Sequence, residues 1–216
     1  MILRQTQEFD LACKTLLARV LANARFRRWI TAGDSDLIYV EGRLDPSSYG
    51  RTSPVAYICA NLVHLFQDKP KTMTLSFFCG QHVASNDDLQ GPKGLIRSIL
   101  GKLLMAWPDA PLSNVDLTSF QEDIARISID VLCHTFEQVL GQAPSDCTLY
   151  LVIDDLAQFE RDSWVNDYAS LLSMLDHLVQ NGGFGPRVMV LVTSPIRNRW
   201  LAELARSQTI ELTERG

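Results

Sequence analysis

The segment Leu149-Tyr150-Leu151-Val152-Ile153-Asp154-Asp155 decides the fold. An apolar run runs without a polar break and ends in two carboxylates. A run this short, with β-branched residues in it, reads as a strand buried on both faces, the habit of central strands in parallel sheets. Outward from it, four more runs match: Leu37 to Glu41, Met73 to Cys79, Val188 to Val192 and the weaker Thr209 to Leu212. The stretches between them carry helical spacing: 55–67, 94–107 ended by Pro108, 117–140 opened by Asp116, 168–179 and 197–207. That alternation predicts a three-layer α/β fold, a mostly parallel five-stranded sheet with helices on both faces.

Ahead of the first strand, Phe9, Cys13, Leu16, Leu17, Val20, Leu21 and Ala24 fall at helical spacing. They predict one helix over 8–29 that stops before Thr31. The chain therefore divides into a helical lead-in, 1–34, and an α/β domain, 35–216. The fifth strand would leave an uncovered sheet edge, which a larger parent protein would cover.

Composition sets the class. The chain has 216 residues, 46% hydrophobic and 21% charged, with a net charge of -5. These values fit a globular domain with a sizeable core and do not fit a disordered chain. The mixed charge gives no support for nucleic-acid binding. Arg25-Phe26-Arg27-Arg28-Trp29 is a local basic run, and its spacing suits a solvated helix face beside a buried aromatic. The cysteines 13, 59, 79, 133 and 147 are scattered without a C-x-x-C pair, against a zinc or dithiol site. Four of them read as core and Cys147 as exposed, which suits a reducing, cytoplasmic setting. No signal peptide or membrane span is visible. A G-x-S-x-G elbow is missing, and the four histidines have no metal-ligand spacing.

Three strand exits can carry chemistry, because ligands of open α/β sheets bind at the carboxyl ends of strands. After the third strand, one of Asp154 and Asp155 can hold magnesium while the other orients or deprotonates a water. The alternative is a solvated strand end in which Asp154 caps the next turn. After the fourth strand, Thr193 and Ser194 can bond a water or a phosphate, and either Arg197 or Arg199 beyond it can reach an anion. Equally, Ser194-Pro195 can cap and open a helix. After the first strand, Gly50-Arg51-Thr52 has the form of the end of a phosphate loop, with arginine for lysine. Asp45 then stands where the first glycine belongs and Pro46 removes an amide donor. The other reading of this loop is a surface segment ending in a helix capped by Ser53, with Pro54 in its first turn.

Taken in order, Phe26-Arg27-Arg28-Trp29, Leu37 to Gly42, Leu75 to Cys79, Gly94 to Leu100, Leu151 to Asp155 and Val192-Thr193-Ser194 resemble the NACHT-type P-loop NTPase domain of the STAND class. The likeness is to versions at the front of large fungal proteins, and it covers roughly residues 20–216. It implies Asp154 and Thr52 on magnesium and Asp155 as the base or water orienter. It implies Thr193 as the sensor, and Arg51 and Thr52 in the places of the phosphate-loop lysine and hydroxyl; with Gly50 and the nearby Arg197 they would surround ATP or GTP. It also implies a nucleotide-controlled switch that self-associates or binds protein partners in intracellular signalling. The departures in the phosphate loop turn the expectation toward a regulatory or scaffolding module with nucleotide binding weakened or lost. The alternative is a weak Mg-dependent ATPase or GTPase that uses Arg51 in place of the lysine.

Overall fold

The computed structural model describes residues 2–43, 53–108, 127–180, 183–197 and 209–213. Among the described residues five strands form one sheet: β1 (Asp36–Arg43), β2 (Thr72–Phe78), β3 (Thr148–Asp154), β4 (Arg187–Ser194) and β5 (Thr209–Thr213). Their order is β2-β3-β4-β1-β5, and every pairing is parallel. The helices are α1 (Ile2–Ala22), α2 (Ala24–Thr31), α3 (Pro54–Gln67), α4 (Gly91–Ala106), α5 (Ile129–Gly141) and α6 (Val165–Gln180).

The strand alternation sorts the core into two layers. Leu75, Phe77, Leu149, Leu151, Ile153, Val188, Val190 and Val192 face α4, α5 and α6. Ile38, Val40, Tyr150, Val152, Met189, Leu191, Ile210 and Leu212 face the other way, against α1, α2 and α3. β3 and β4 are apolar on both sides because both sides are covered. This is the expected three-layer α/β fold, a five-stranded parallel sheet with helices on both faces and a helical lead-in.

The lead-in departs from the single helix expected over 8–29. Asn23 breaks it: its side chain accepts from the amides of Arg25 and Phe26 and starts a new helix there. An asparagine amide satisfies the orphan donors of a helix start well, so the break is an N-cap rather than a defect. α2 then buries Phe26 and Trp29 under the sheet. Trp29 lies near Phe66 and Tyr150, whose rings stack at 4.0 Å. Arg25 is fixed by a bidentate pair with Asp36 at 2.7 Å and a bond to the Leu37 carbonyl. Arg27 donates to the Leu21 carbonyl. Two arginines of the basic run are thus engaged within the lead-in and the start of β1.

Elsewhere α4 begins at Gly91, a little earlier than 94, with Pro92 in its first turn. α5 and α6 fall within or around the expected helical stretches. The first part of the helical stretch expected over 117–140, with its opening at Asp116, and most of the helix expected over 197–207, lie outside the described residues. Cys13, Cys59, Cys79 and Cys133 are buried and Cys147 is half-buried; all are free thiols. No described helix is long and apolar enough to cross a membrane.

The connections fix where a ligand edge can be. The chain leaves β1 through α3 on one face and crosses to the far edge at β2. It leaves β2 and β3 through helices on the opposite face. Connections diverging to opposite faces open a crevice at the carboxyl ends of the strands between them. In this sheet those are β3, β4 and β1.

Candidate site at the carboxyl edge of the sheet

β3 carries Asp154 to this edge, one position beyond the Ile153–Val192 pairing with β4. Its side chain has the parity of Tyr150 and Val152, so it points into the α3 layer, where it is only 4% exposed. A carboxylate there needs donors. Thr193 supplies one, its hydroxyl donating to Asp154 Oδ1 at 2.8 Å. The same hydroxyl oxygen accepts the Asp155 backbone N–H at 3.3 Å. Cys59, on α3, places its Sγ 3.6 Å from Thr193 Oγ1. Thr193 has one hydrogen and Asp154 takes it, so the thiol is the donor in that contact. The Cys59 thiol also favours the charged form of the Asp154 carboxyl.

Asp155 turns the other way. Its backbone is left-handed, with φ 54° and ψ 48°, a conformation aspartate tolerates better than most residues but at a cost. Its Oδ2 accepts from Gln158 Nε2 at 2.8 Å. Its Oδ1 is buried without a hydrogen-bond partner among the described residues. The turn after β2 lies close by, since a Cβ on Gly80 would stand 3.8 Å from Asp155 Oδ2.

Burial dominates the electrostatics. It pushes the Asp154 carboxyl up to about 6, with the neighbouring Asp155 charge adding and the Thr193 and Cys59 hydrogen bonds offsetting part. Burial also raises Asp155, against the Gln158 bond. The Cys59 thiol is raised well above its ordinary value by burial and then by the Asp154 charge, so it stays a thiol.

The approach from β1 is tight. A Cβ on Gly42 would come within 2.9 Å of the Pro195 carbonyl oxygen, so the exits of β1 and β4 touch through backbone. Glu41, 3% exposed, meets Arg43 Nε at 3.5 Å, and Arg43 also pairs with Glu211 of β5 at 2.9 Å.

α3 opens as the capped-helix reading expects. Ser53 accepts the Ala56 N–H at 3.0 Å, and Pro54 occupies the first turn. The Tyr57 N–H goes to the Ser53 carbonyl at 3.2 Å. Pro54 has no N–H, so these bonds account for every amide of the opening turn except that of Val55.

The structure thus brings Asp154, Asp155 and Thr193 together. It does not use Asp154 as a cap, because Thr193 and Cys59 claim its side chain. Ser194 bonds within its own turn, to the Ile196 amide at 3.3 Å and carbonyl at 2.6 Å. Arg197 is exposed. Gly50, Arg51 and Thr52 lie outside the described residues. Among the described residues no group of three or more His, Cys, Asp or Glu gathers to hold a metal. The unpartnered Asp155 Oδ1 does suit a hard cation or a water, whereas Asp154 Oδ1 already holds the Thr193 hydrogen. Sequence reading passed over Cys59 and Gln158: Cys59 falls on the apolar stripe of α3 and reads as core, and Gln158 belongs to no motif.

A five-stranded parallel sheet covered by helices on both faces, with two carboxylates on its ligand edge, defines an open α/β domain. The chain belongs to the nephrocystin 3 N-terminal family, whose sequence profile matches residues 16–195. A comparison with curated proteins finds no match. Among solved structures, the ADP form of the Aeropyrum pernix ORC2 protein is similar at TM-score 0.45 and 11% identity, over 92% of this chain and 47% of that one. Drosophila ORC bound to DNA is similar at TM-score 0.46 and 14% identity, over 96% and 41%. The chain therefore spans less than half the length of these solved chains. The fold rests on the strand order and register above rather than on these likenesses.

Proposed function

We propose that this chain is a regulatory or scaffolding module of cytoplasmic signalling, built on a P-loop NTPase-type sheet whose nucleotide binding is weakened or lost. Its closer kinship, by the motifs above, is to the NACHT-type STAND domains of fungal proteins. Its partners are proteins, or further copies of itself within a larger assembly. The observation that carries this reading is the start of α3. A helix that follows a phosphate loop binds anions with the free amides of its first turn. Here Ser53, Pro54 and the Tyr57–Ser53 bond leave only the Val55 amide. Asp45 and Pro46 in the preceding loop work in the same direction, the one by charge and the other by a missing donor. The test is titration with magnesium-ATP and magnesium-GTP by calorimetry and thermal shift. No saturable signal is expected at millimolar ligand. A saturable signal that disappears in Arg51→Ala overturns the reading.

The unpartnered Asp155 Oδ1 favours a second reading, a weak Mg-dependent ATPase or GTPase. Asp154 with Thr52 would hold the ion, which would neutralise phosphate charge. Asp155 would orient water, Thr193 would set Asp154, and Arg51 and Arg197 would meet the phosphates beside Gly50. It requires phosphate release that falls in Asp155→Asn; equal rates in both proteins exclude it.

A further inference from the structure

The side chains around Thr193 belong to three elements that are far apart in sequence. Cys59 comes from α3, Asp154 and Asp155 from the end of β3 and Thr193 from β4. Their bonds form one chain: Cys59 S–H to Thr193 Oγ1, Thr193 O–H to Asp154 Oδ1, and Asp155 N–H to Thr193 Oγ1. The last bond supports Asp155, which among the described residues of this edge is the strained one, since its backbone is left-handed. A residue held in a costly conformation persists only while its surroundings hold it there. All four residues are buried, with Cys59 at 0% and Thr193 at 1% exposure, so water cannot replace a lost partner.

α3 is also the helix that leads out of the loop after β1, and Cys59 is its contact with this chain of bonds. A small displacement of α3 removes the thiol from Thr193 Oγ1 and leaves that oxygen held only through Asp154 and the Asp155 amide. The acceptor of the Asp155 amide is then less firmly placed. We infer that Cys59 is a positioning residue that transmits the placement of α3, through the Thr193 hydroxyl, to the left-handed turn at Asp155. The turn from Asp155 to Phe159 is then a two-state element, held by the relay and released without it. Gln158 is part of the same element, because its side chain binds Asp155 Oδ2 and its amide binds the Asp155 carbonyl at 3.1 Å. This regulation is a property of the polypeptide alone. It rests on no bound nucleotide, so its failure and that of the proposed function are separate results.

The test is residue-resolved amide exchange on the full chain, comparing Cys59→Ala, Cys59→Ser and Asp155→Gly. Cys59→Ala removes the donor and should speed exchange at Asp155 to Phe159 by roughly five-fold, about one buried hydrogen bond, relative to the β3 and β4 core. Cys59→Ser keeps a donor and should restore protection. Asp155→Gly accepts the left-handed conformation without support, and in that background Cys59→Ala should no longer act on the turn. Three outcomes overturn the relay. They are unchanged exchange of the turn in Cys59→Ala, a serine variant that behaves like alanine, and an alanine effect that persists undiminished beside Asp155→Gly. Uniform acceleration across the core in Cys59→Ala, rescued or not, also counts against it, because it marks a packing role only.

Discussion

Asp154 is a carboxyl group whose surroundings favour its proton. Burial raises it to about 6, against about 3.9 for an unfolded aspartate. The folded state therefore binds this proton more tightly than the unfolded chain does. The resulting stabilisation is complete below about pH 4 and is lost as pH rises through about 6. A shift of this size corresponds to roughly 2–3 kcal/mol. Asp154→Asn removes the titration and keeps an acceptor for the Thr193 hydroxyl. Denaturant unfolding at a series of pH values should show the wild type losing roughly 2 kcal/mol relative to the asparagine variant between pH 4.5 and 7.5. Parallel curves for the two proteins would contradict the burial of this carboxylate. The same comparison bears on function, because a cation bound at Asp154 would favour the charged form and lower the titration point.

At the scale of elements, the exits of β1 and β4 meet without a side chain between them. Gly42→Ala would put a Cβ 2.9 Å from the Pro195 carbonyl oxygen and 3.0 Å from its Cα. Backbone on both sides cannot yield as a flexible side chain can. The substitution should cost about 1–3 kcal/mol, read as a lower denaturant midpoint at unchanged slope. An unchanged midpoint would mean that the two exits are not in contact. Gly42 was legible only as the residue after a strand, because its reason lies in a backbone more than 150 residues away along the chain. The strands were legible for the opposite reason: unbroken apolar runs such as Val188 to Val192 have no other way to bury both faces. The break at Asn23 was not legible, because the apolar spacing continues through it and only the cap reveals it. At the site, Asp154, Asp155 and Thr193 stood out as polar groups ending apolar strands. Cys59 did not, since a thiol on an apolar helix stripe looks the same whether it packs or donates.

For the molecule as a whole, the question is whether the lead-in helices are an appendage or part of the core. Trp29 is fully buried, its indole N–H donates to the Asp36 carbonyl at 3.1 Å, and its ring sits among Phe26, Phe66 and Tyr150. These contacts join α2 to α3, β1 and β3 in one layer. Arg187, at the start of β4, bonds the Ala32 carbonyl and also Thr148, while Ser35 accepts the Val188 amide at 2.9 Å. The segment between α2 and β1 is thereby tied to β3 and β4 as well. Trp29→Ala should cost about 3–5 kcal/mol, a large part of the stability of a domain of this size. Removing residues 1–34 would strip one face of the sheet of α1 and α2 and expose Ile38, Val40 and Tyr150. The shortened chain should lose cooperative unfolding, measured by denaturant titration followed by far-ultraviolet circular dichroism and tryptophan emission. A shortened chain that unfolds in one sharp transition near the wild-type midpoint would make the lead-in an appendage. Coincident loss of both signals in the intact chain, and their separation in Trp29→Ala, would make it part of the same cooperative unit as the sheet.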